Sequence, residues 1–224
     1  MILEAIKFSS HFFLENFFRI SYVCAIPIIF LSVVPLFMDL TFLNNKGMGV
    51  AFFQFIYLLF QLLLTSVTML LINDLNYNRS QAIANYFFKS LFFVPTLLLT
   101  YIFVGVAMLL GFLLLILPGI YLLGRFLFVP YVVVLEKKKF YDALNTAQGY
   151  GRKNAWILGS TVFLMYSLFI YLLFALGTIP AEPTTASSSP LALFFVYLLS
   201  FVFQIYLNIF IYSLLLNERE IENE

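Results

Sequence analysis

The sequence predicts an all-α membrane protein with six transmembrane helices and three interfacial amphipathic helices, in an order that suggests a three-fold parallel repeat. Hydrophobic residues make up 63% of the chain and charged residues only 10%, so a water-soluble fold could not bury the apolar surface. The apolar residues fall into six runs of about the 20 residues that a helix needs to cross a bilayer. Each run is apolar throughout, whereas a barrel strand would alternate. The six runs are Ile20–Met38, Val50–Asn73, Leu91–Leu117, Gly119–Leu135, Ala155–Gly177 and Leu191–Leu216.

Short connections join the runs on one side of the predicted membrane. Asp39–Gly49 is a loop with a polar centre, Leu117–Gly119 is a tight turn around Pro118, and Thr178–Pro190 is rich in Pro, Ser and Thr. None is long enough for a soluble catalytic domain. The chain, residues 1–224, is therefore predicted to form a single membrane domain.

On the other side of the membrane, three segments show the pattern of helices that lie in the membrane interface. Between the fourth and fifth runs, Phe140, Leu144 and Ala147 share one helical face, while Asp142 and Arg152 lie away from it. Similar stripes precede the first and third runs. They consist of Ile2, Ile6, Phe13 and Phe17 before the first run, and of Ile83, Tyr86 and Phe87 before the third.

The three amphipathic segments resemble one another, which suggests an internal repeat. Ala5-Ile6 matches Ala82-Ile83 and Ala143-Leu144, and each segment is followed by two apolar runs. Because two spans return the chain to the same side, such repeats would be parallel rather than inverted. The predicted units are residues 1–73, 78–135 and 138–216.

Charge predicts the orientation of the chain. Of the 12 Lys and Arg residues, Lys46 lies on one side of the membrane, Arg125 lies within a run, and the others flank the runs on the opposite side. Basic residues accumulate on the cytoplasmic side of membrane proteins. Both termini and the three amphipathic segments are therefore predicted to be cytoplasmic.

One stretch of the chain carries a recognisable motif. Its residues are Leu117-Pro118-Gly119-Ile120-Tyr121, Arg125, Pro130, Glu136, Ala143-Leu144 and Trp156. This motif resembles the YciC-like family of bacterial inner-membrane proteins, and it is similar to the membrane domain that precedes the catalytic domain in some glycerophosphodiester phosphodiesterases. The resemblance implies a six-helix bundle in the bacterial inner membrane with an envelope-related role. Phosphodiesterase activity is not expected, since no catalytic domain follows the sixth run.

Arg125 is the candidate ligand-binding residue within the membrane. An arginine in the hydrocarbon region costs about 2.5 kcal/mol or more unless it finds a partner. Its guanidinium could bind a lipid phosphate or carboxylate inside the bundle. Alternatively it is structural, bonded to backbone carbonyls near Pro95 or Pro130. Polar side chains such as Asn73 and Gln61 could also hold it.

A basic patch at the predicted cytoplasmic face is a second candidate site, for anionic lipid at the membrane surface. It consists of Lys137, Lys138, Lys139, Arg152 and Lys153. Each such charge contributes about 1 kcal/mol near anionic lipid. The same charges are equally well explained as the signal that sets topology.

These features favour a non-enzymatic inner-membrane protein that binds phospholipid or a membrane partner in envelope homeostasis. The alternative is a transporter or scramblase of lipids or small amphiphiles, although Asp74 and Glu136 lie at the ends of runs rather than within them, which disfavours proton-coupled transport. His11 is the only histidine, so a multi-histidine metal site cannot form within one chain. We expect no cofactor, no metal and no nucleic acid. The expected partners are membrane lipids, another membrane protein or a second copy of the chain.

Overall fold

The computed structural model describes residues 1–42, 48–79, 81–175 and 190–223, and within these ranges the regular structure is entirely α-helical. The predicted all-α class is confirmed. The helices are α1 (Ile2–Phe42), α2 (Met48–Asn76), α3 (Ile83–Leu114), α4 (Ile116–Phe126), α5 (Val129–Leu135), α6 (Phe140–Gly151), α7 (Ala155–Ala175) and α8 (Pro190–Asn223).

Among the described residues, five helical segments are long and apolar enough to cross a membrane. They are Gln54–Asn76, Ile83–Leu114, Ile116–Leu135, Ala155–Ala175 and Phe194–Arg219. The chain is thus a multi-pass membrane protein by the length and composition of its helices. Several side chains of the predicted first run, Ile20–Met38, lie outside the described residues. The centre of the loop Asp39–Gly49 with Lys46, and the loop Thr178–Pro190 up to residue 189, also lie outside them.

Two of the predicted interfacial helices are not separate elements in the structure. The segment before the first run is continuous with it in α1, a helix of 41 residues that is about 60 Å long at 1.5 Å per residue. The segment before the third run is likewise continuous with it in α3. Neither junction contains a glycine or proline that would interrupt the backbone hydrogen bonds. Only the third segment, α6, is separated from the following helix, by a turn at residues 152–154.

The turn between α3 and α4 lies two residues earlier than predicted. Leu115 has an extended backbone (φ −168°, ψ 154°), and α4 begins at Ile116. Pro118 therefore falls in the first turn of α4. Backbone N–H groups in the first turn have no partner within the helix, so a proline there costs no hydrogen bond. Gly119 lets the two helices approach, because a Cβ there would lie 2.5 Å from the ring of Phe112.

The predicted fourth run, Gly119–Leu135, is two helices rather than one. Pro130 cannot donate a hydrogen bond to the carbonyl of Phe126, so α4 ends there and α5 begins three residues later. The N–H of Val132 donates to the carbonyl of Phe128 at 3.0 Å, which restarts the helix. Residues 129–134 of α5 are all buried, and they form the core together with the buried faces of α1, α2 and α8.

Helices α4 and α7 cross with their backbones almost in contact. A Cβ at Gly124 would lie 1.9 Å from the carbonyl oxygen of Ala155, and one at Gly159 would lie 2.0 Å from the carbonyl oxygen of Ile120. A Cβ at Gly151, the last residue of α6, would lie 3.0 Å from the carbonyl oxygen of Gly124. Small residues permit such close helix packing in membranes. This crossing holds α6 and α7 against α4 and so positions the polar side chains of α6.

Candidate functional site

A cavity of about 460 Å³ opens where α2 ends and α3 begins, and α5 forms its opposite wall. Its volume falls within the range of about 300–1,000 Å³ that is typical of small-molecule sites. The residues that line it are Leu70, Asn73, Asp74, Arg79, Gln81, Tyr86, Lys89, Phe92, Phe93, Val134, Leu135 and Lys137.

The end of α2 shapes the mouth of this cavity. Asn78 adopts the left-handed conformation (φ 53°), which asparagine tolerates better than most residues. Its N–H donates to the carbonyl of Leu75 at 3.1 Å, and the N–H of Arg79 donates to the carbonyl of Asp74 at 2.7 Å. This pair of bonds is a Schellman motif, which satisfies the last carbonyls of the helix. The reversal of the chain brings Arg79 back beside Asp74 at the edge of the cavity.

Asp74 is the buried acidic group of the cavity, with 7% of its surface exposed. Its Oδ2 accepts hydrogen bonds from Nε2 of Gln81 at 2.6 Å and from the hydroxyl of Tyr86 at 3.1 Å. Both donors are neutral, so they solvate the carboxylate without balancing its charge. Lys89 donates to Oε1 of Gln81 and therefore reaches Asp74 only through that amide.

Three cationic side chains line the same cavity as the buried carboxylate. Arg79, Lys89 and Lys137 are all exposed, and within the described part of the chain none has a carboxylate at ion-pair distance. Lys137 has a positive φ of 55°, a conformation that costs a non-glycine residue about 1 kcal/mol or more. The cavity thus combines an unneutralised basic rim with a buried acid.

The rest of the cavity wall is apolar. Leu70, Val134 and Leu135 line its inner side, while Phe92, 83% exposed, and Phe93 continue the surface along α3. A basic rim that is continuous with an apolar helix face suits an amphiphile with an anionic head and a hydrocarbon tail.

A second polar cluster gathers around Glu136, at the end of α5. Its carboxylate lies 2.5 Å from Nη2 of Arg219 and 2.9 Å from Nζ of Lys138. It also accepts a hydrogen bond from the hydroxyl of Tyr150 at 3.1 Å. Partial burial alone would raise the pKa of Glu136, but the hydrogen bonds from Lys138 and Arg219 outweigh it, and the pKa is lowered. This cluster joins α5, α6 and α8 around a carboxylate whose charge is balanced within the protein.

A line of polar side chains leads from the cavity into the bundle along one face of α8. Tyr212, Asn208 and Gln204 are spaced four residues apart and so share that face. Tyr212 donates to Oδ1 of Asn73, which lines the cavity, at 3.1 Å. Oδ1 of Asn208 accepts a hydrogen bond from the hydroxyl of Tyr131 at 3.1 Å. Its Nδ2 is buried and has no hydrogen-bond partner among the described residues.

The line ends near the middle of α2. There Nε2 of Gln204 donates to the hydroxyl of Thr65 at 3.1 Å.

The structure separates the site residues that the sequence suggested. Arg125 is partly buried, donates to the hydroxyl of Tyr121 at 3.2 Å and to Oε1 of Gln148 at 3.3 Å, and does not line the cavity. Its partners are therefore side chains rather than the backbone carbonyls considered above. The predicted basic patch is divided among three environments. Lys137 lines the cavity, Lys138 belongs to the Glu136 cluster, and Lys139, Arg152 and Lys153 are exposed outside both.

Sequence reasoning did not select Asp74, Arg79 or Lys89 as site residues, because it interpreted the acid as a helix end and the cations as topology signals. The sequence does contain a signal for the fold-back of Arg79, in Asn78. An asparagine two residues after the end of a helix is typical of the left-handed helix cap, and it predicts that Arg79 folds back toward Asp74.

Comparison with known proteins gives no match to this chain among family models, curated proteins or solved structures.

Proposed function

We propose that this chain is a non-enzymatic membrane protein that binds the headgroup phosphate of a phospholipid in the cavity between α2, α3 and α5. The observation that carries the proposal is the basic rim of Arg79, Lys89 and Lys137 beside an apolar wall. Cations without a protein counter-charge lower the electrostatic free energy of an anion bound among them. At about 1 kcal/mol per charge near the membrane surface, the three together could favour a phosphate by about a hundredfold.

The setting that we propose is the bacterial inner membrane, as the YciC-like resemblance implies, with an envelope-related role. The three rim cations belong to the basic residues that predict the cytoplasmic side, so the cavity would open to the inner leaflet. In this arrangement six spans, α6 at the interface and both termini in the cytoplasm complete the topology. In intact cells, Asn45→Cys should react with an impermeant thiol reagent, whereas Asn145→Cys should not.

The three helix-and-hairpin units, residues 1–73, 78–135 and 138–216, remain our proposal for the internal organisation. The unit boundaries coincide with the two carboxylates, since Asp74 and Glu136 lie where the first and second units end. An experimental structure in which the three units superpose about an axis normal to the membrane would test it.

The binding proposal is tested by removing charge at the rim. In the purified full-length protein, we expect Arg79→Gln with Lys89→Gln to reduce retention of phospholipid, measured by native mass spectrometry, by about tenfold or more. The control is Arg152→Gln with Lys153→Gln, which removes the same charge from exposed positions outside the cavity. Equal losses in the two double variants would show general surface attraction and contradict a specific site.

A transporter or scramblase is the second candidate, and the polar line along α8 favours it. A buried amide without a partner, Nδ2 of Asn208, is unusual in a membrane interior and suits a path that is transiently occupied by water or a headgroup. In proteoliposomes, lipid exchange between leaflets that is slowed by Asn208→Leu would support this function. Exchange no faster than in protein-free vesicles would exclude it.

A further inference from the structure

We propose that the cavity recognises a phosphoethanolamine headgroup, with the ammonium at Asp74 and the phosphate at the basic rim. This inference rests on the proposed function and names its ligand class. The buried acid and the exposed bases occupy different depths of one cavity, because Asp74 is buried while Arg79 and Lys89 are exposed. A ligand whose cationic end enters first and whose anionic group follows matches that order.

The hydrogen bonds of Asp74 leave room for such an ammonium. Both donors, Gln81 and Tyr86, bind the same oxygen, Oδ2. A carboxylate can accept about four hydrogen bonds on its two oxygens. Among the described residues, the hydrogen bonds to the Asp74 side chain both end on Oδ2 and none ends on Oδ1. The negative charge has no cation at ion-pair distance among those residues. A primary ammonium would supply both a donor and the missing counter-charge.

Other phospholipid headgroups satisfy this cavity less well. A phosphatidate headgroup carries only negative charge and would be repelled by Asp74. A glycerol headgroup offers neutral hydroxyl donors and leaves the charge of the acid unbalanced. A choline headgroup carries a cation but no N–H to donate to Oδ1. The ethanolamine headgroup combines the charge, the donors and the phosphate.

The test compares lipids with identical acyl chains on the full-length protein, by competition in detergent with native mass spectrometry as the readout. We expect the wild-type protein to retain phosphatidylethanolamine at least fivefold more than phosphatidylcholine or phosphatidylglycerol. Asp74→Asn should reduce this preference to within twofold. Asparagine keeps an acceptor for Gln81 and Tyr86, so thermal unfolding of the variant serves as the check that the fold is intact.

A matched control separates the buried acid from loss of a carboxylate elsewhere. Asp142→Asn makes the same substitution at an exposed position outside the cavity, and we expect the preference for ethanolamine to persist. Glycerophosphoethanolamine at equal concentration should not displace the lipid, because it lacks the chains that contact the apolar wall. Displacement by that soluble compound would overturn the assignment to a lipid.

The outcomes distinguish this inference from the proposed function. If phospholipid retention does not depend on Arg79 and Lys89, the site itself is wrong. If retention depends on both cations but Asp74→Asn leaves the ratio of ethanolamine to choline lipid unchanged, the lipid site stands and the recognition of ethanolamine is wrong.

Discussion

Asp74 and Glu136 are carboxylates that end two membrane helices, and their surroundings differ in one respect that matters for function. Glu136 meets two cations, Lys138 and Arg219, within ion-pair distance. Asp74 is more deeply buried but accepts only the neutral donors Gln81 and Tyr86. Charges that are matched within the protein stabilise the fold and leave little for a ligand. Charges that are left unmatched around a cavity are available to bind one.

The consequence is that the two acids should respond differently to loss of charge. Removing the charge of Glu136 should weaken the fold, while removing that of Asp74 should change binding and leave the fold intact.

The largest effect should come from the crossing of α4 and α7, which holds α6, and with it Tyr150 of the Glu136 cluster, close to α4. Gly159→Ala places a methyl group 2.0 Å from the carbonyl oxygen of Ile120, so the two helices must move apart. Overpacking costs about 1–3 kcal/mol and occasionally more, and because the blocking atom belongs to the backbone we expect a loss at the upper end of that range, about 3 kcal/mol. We expect a lower unfolding temperature in detergent.

Gly105→Ala is the matched control for that variant. A Cβ at this position meets nothing within 4 Å, and alanine is the better helix former by up to about 1 kcal/mol. Its unfolding temperature should be unchanged or slightly raised. Equal destabilisation by Gly105→Ala and Gly159→Ala would show that the close crossing is not what stabilises this region.

A smaller loss is expected from Glu136→Gln. The side chain is 18% exposed, so the effect should lie between those of surface and buried ion pairs, about 2 kcal/mol. Asp74→Asn weakens two hydrogen bonds but also removes an unpaired buried charge, so the free energy of unfolding should change by less than about 1 kcal/mol. A larger loss for Asp74→Asn than for Glu136→Gln would reverse the contrast between the two acids.

Acid titration gives an independent measure of the contribution of Glu136. The pKa of Glu136 is lowered in the folded protein from its ordinary value of 4.5. Its contribution to stability is therefore fully present above that value and is lost as the pH falls through the lower folded pKa. Between about pH 5 and pH 3, the wild-type protein should lose more stability than Glu136→Gln does. Parallel losses would show that Glu136 contributes nothing to acid sensitivity.

Sequence reasoning recovered the helical membrane fold because apolar runs are a local signal. The fourth run corresponds to the candidate span Ile116–Leu135. The run alone does not predict the break at Leu127–Phe128, because a proline such as Pro130 can either bend a helix or end it. Sequence reasoning grouped Lys137, Lys138 and Lys139 as one patch. Consecutive side chains in a non-helical connection can point in different directions. Lys137, with its left-handed backbone, lines the cavity, while Lys138 pairs with Glu136. Such partners depend on tertiary packing, which no local pattern encodes.

Arg125→Leu should change stability little, because two opposing effects nearly cancel. The arginine makes two long hydrogen bonds to neutral groups, Tyr121 at 3.2 Å and Gln148 at 3.3 Å. Losing these hydrogen bonds should destabilise the protein by about 1 kcal/mol each. Removing the cation should stabilise it, because a cation within a membrane helix costs about 2.5 kcal/mol.

Lipid retention should also be unaffected by Arg125→Leu, because Arg125 does not line the cavity. The measurement pairs thermal unfolding with native mass spectrometry on the same preparation, and Arg79→Gln serves as the variant expected to lose lipid. Loss of lipid in Arg125→Leu at unchanged stability would make Arg125, rather than the basic rim, the group that binds the headgroup. Loss of stability by more than about 2 kcal/mol would instead show that the link from α4 to α6 through Gln148 is stronger than its distances indicate.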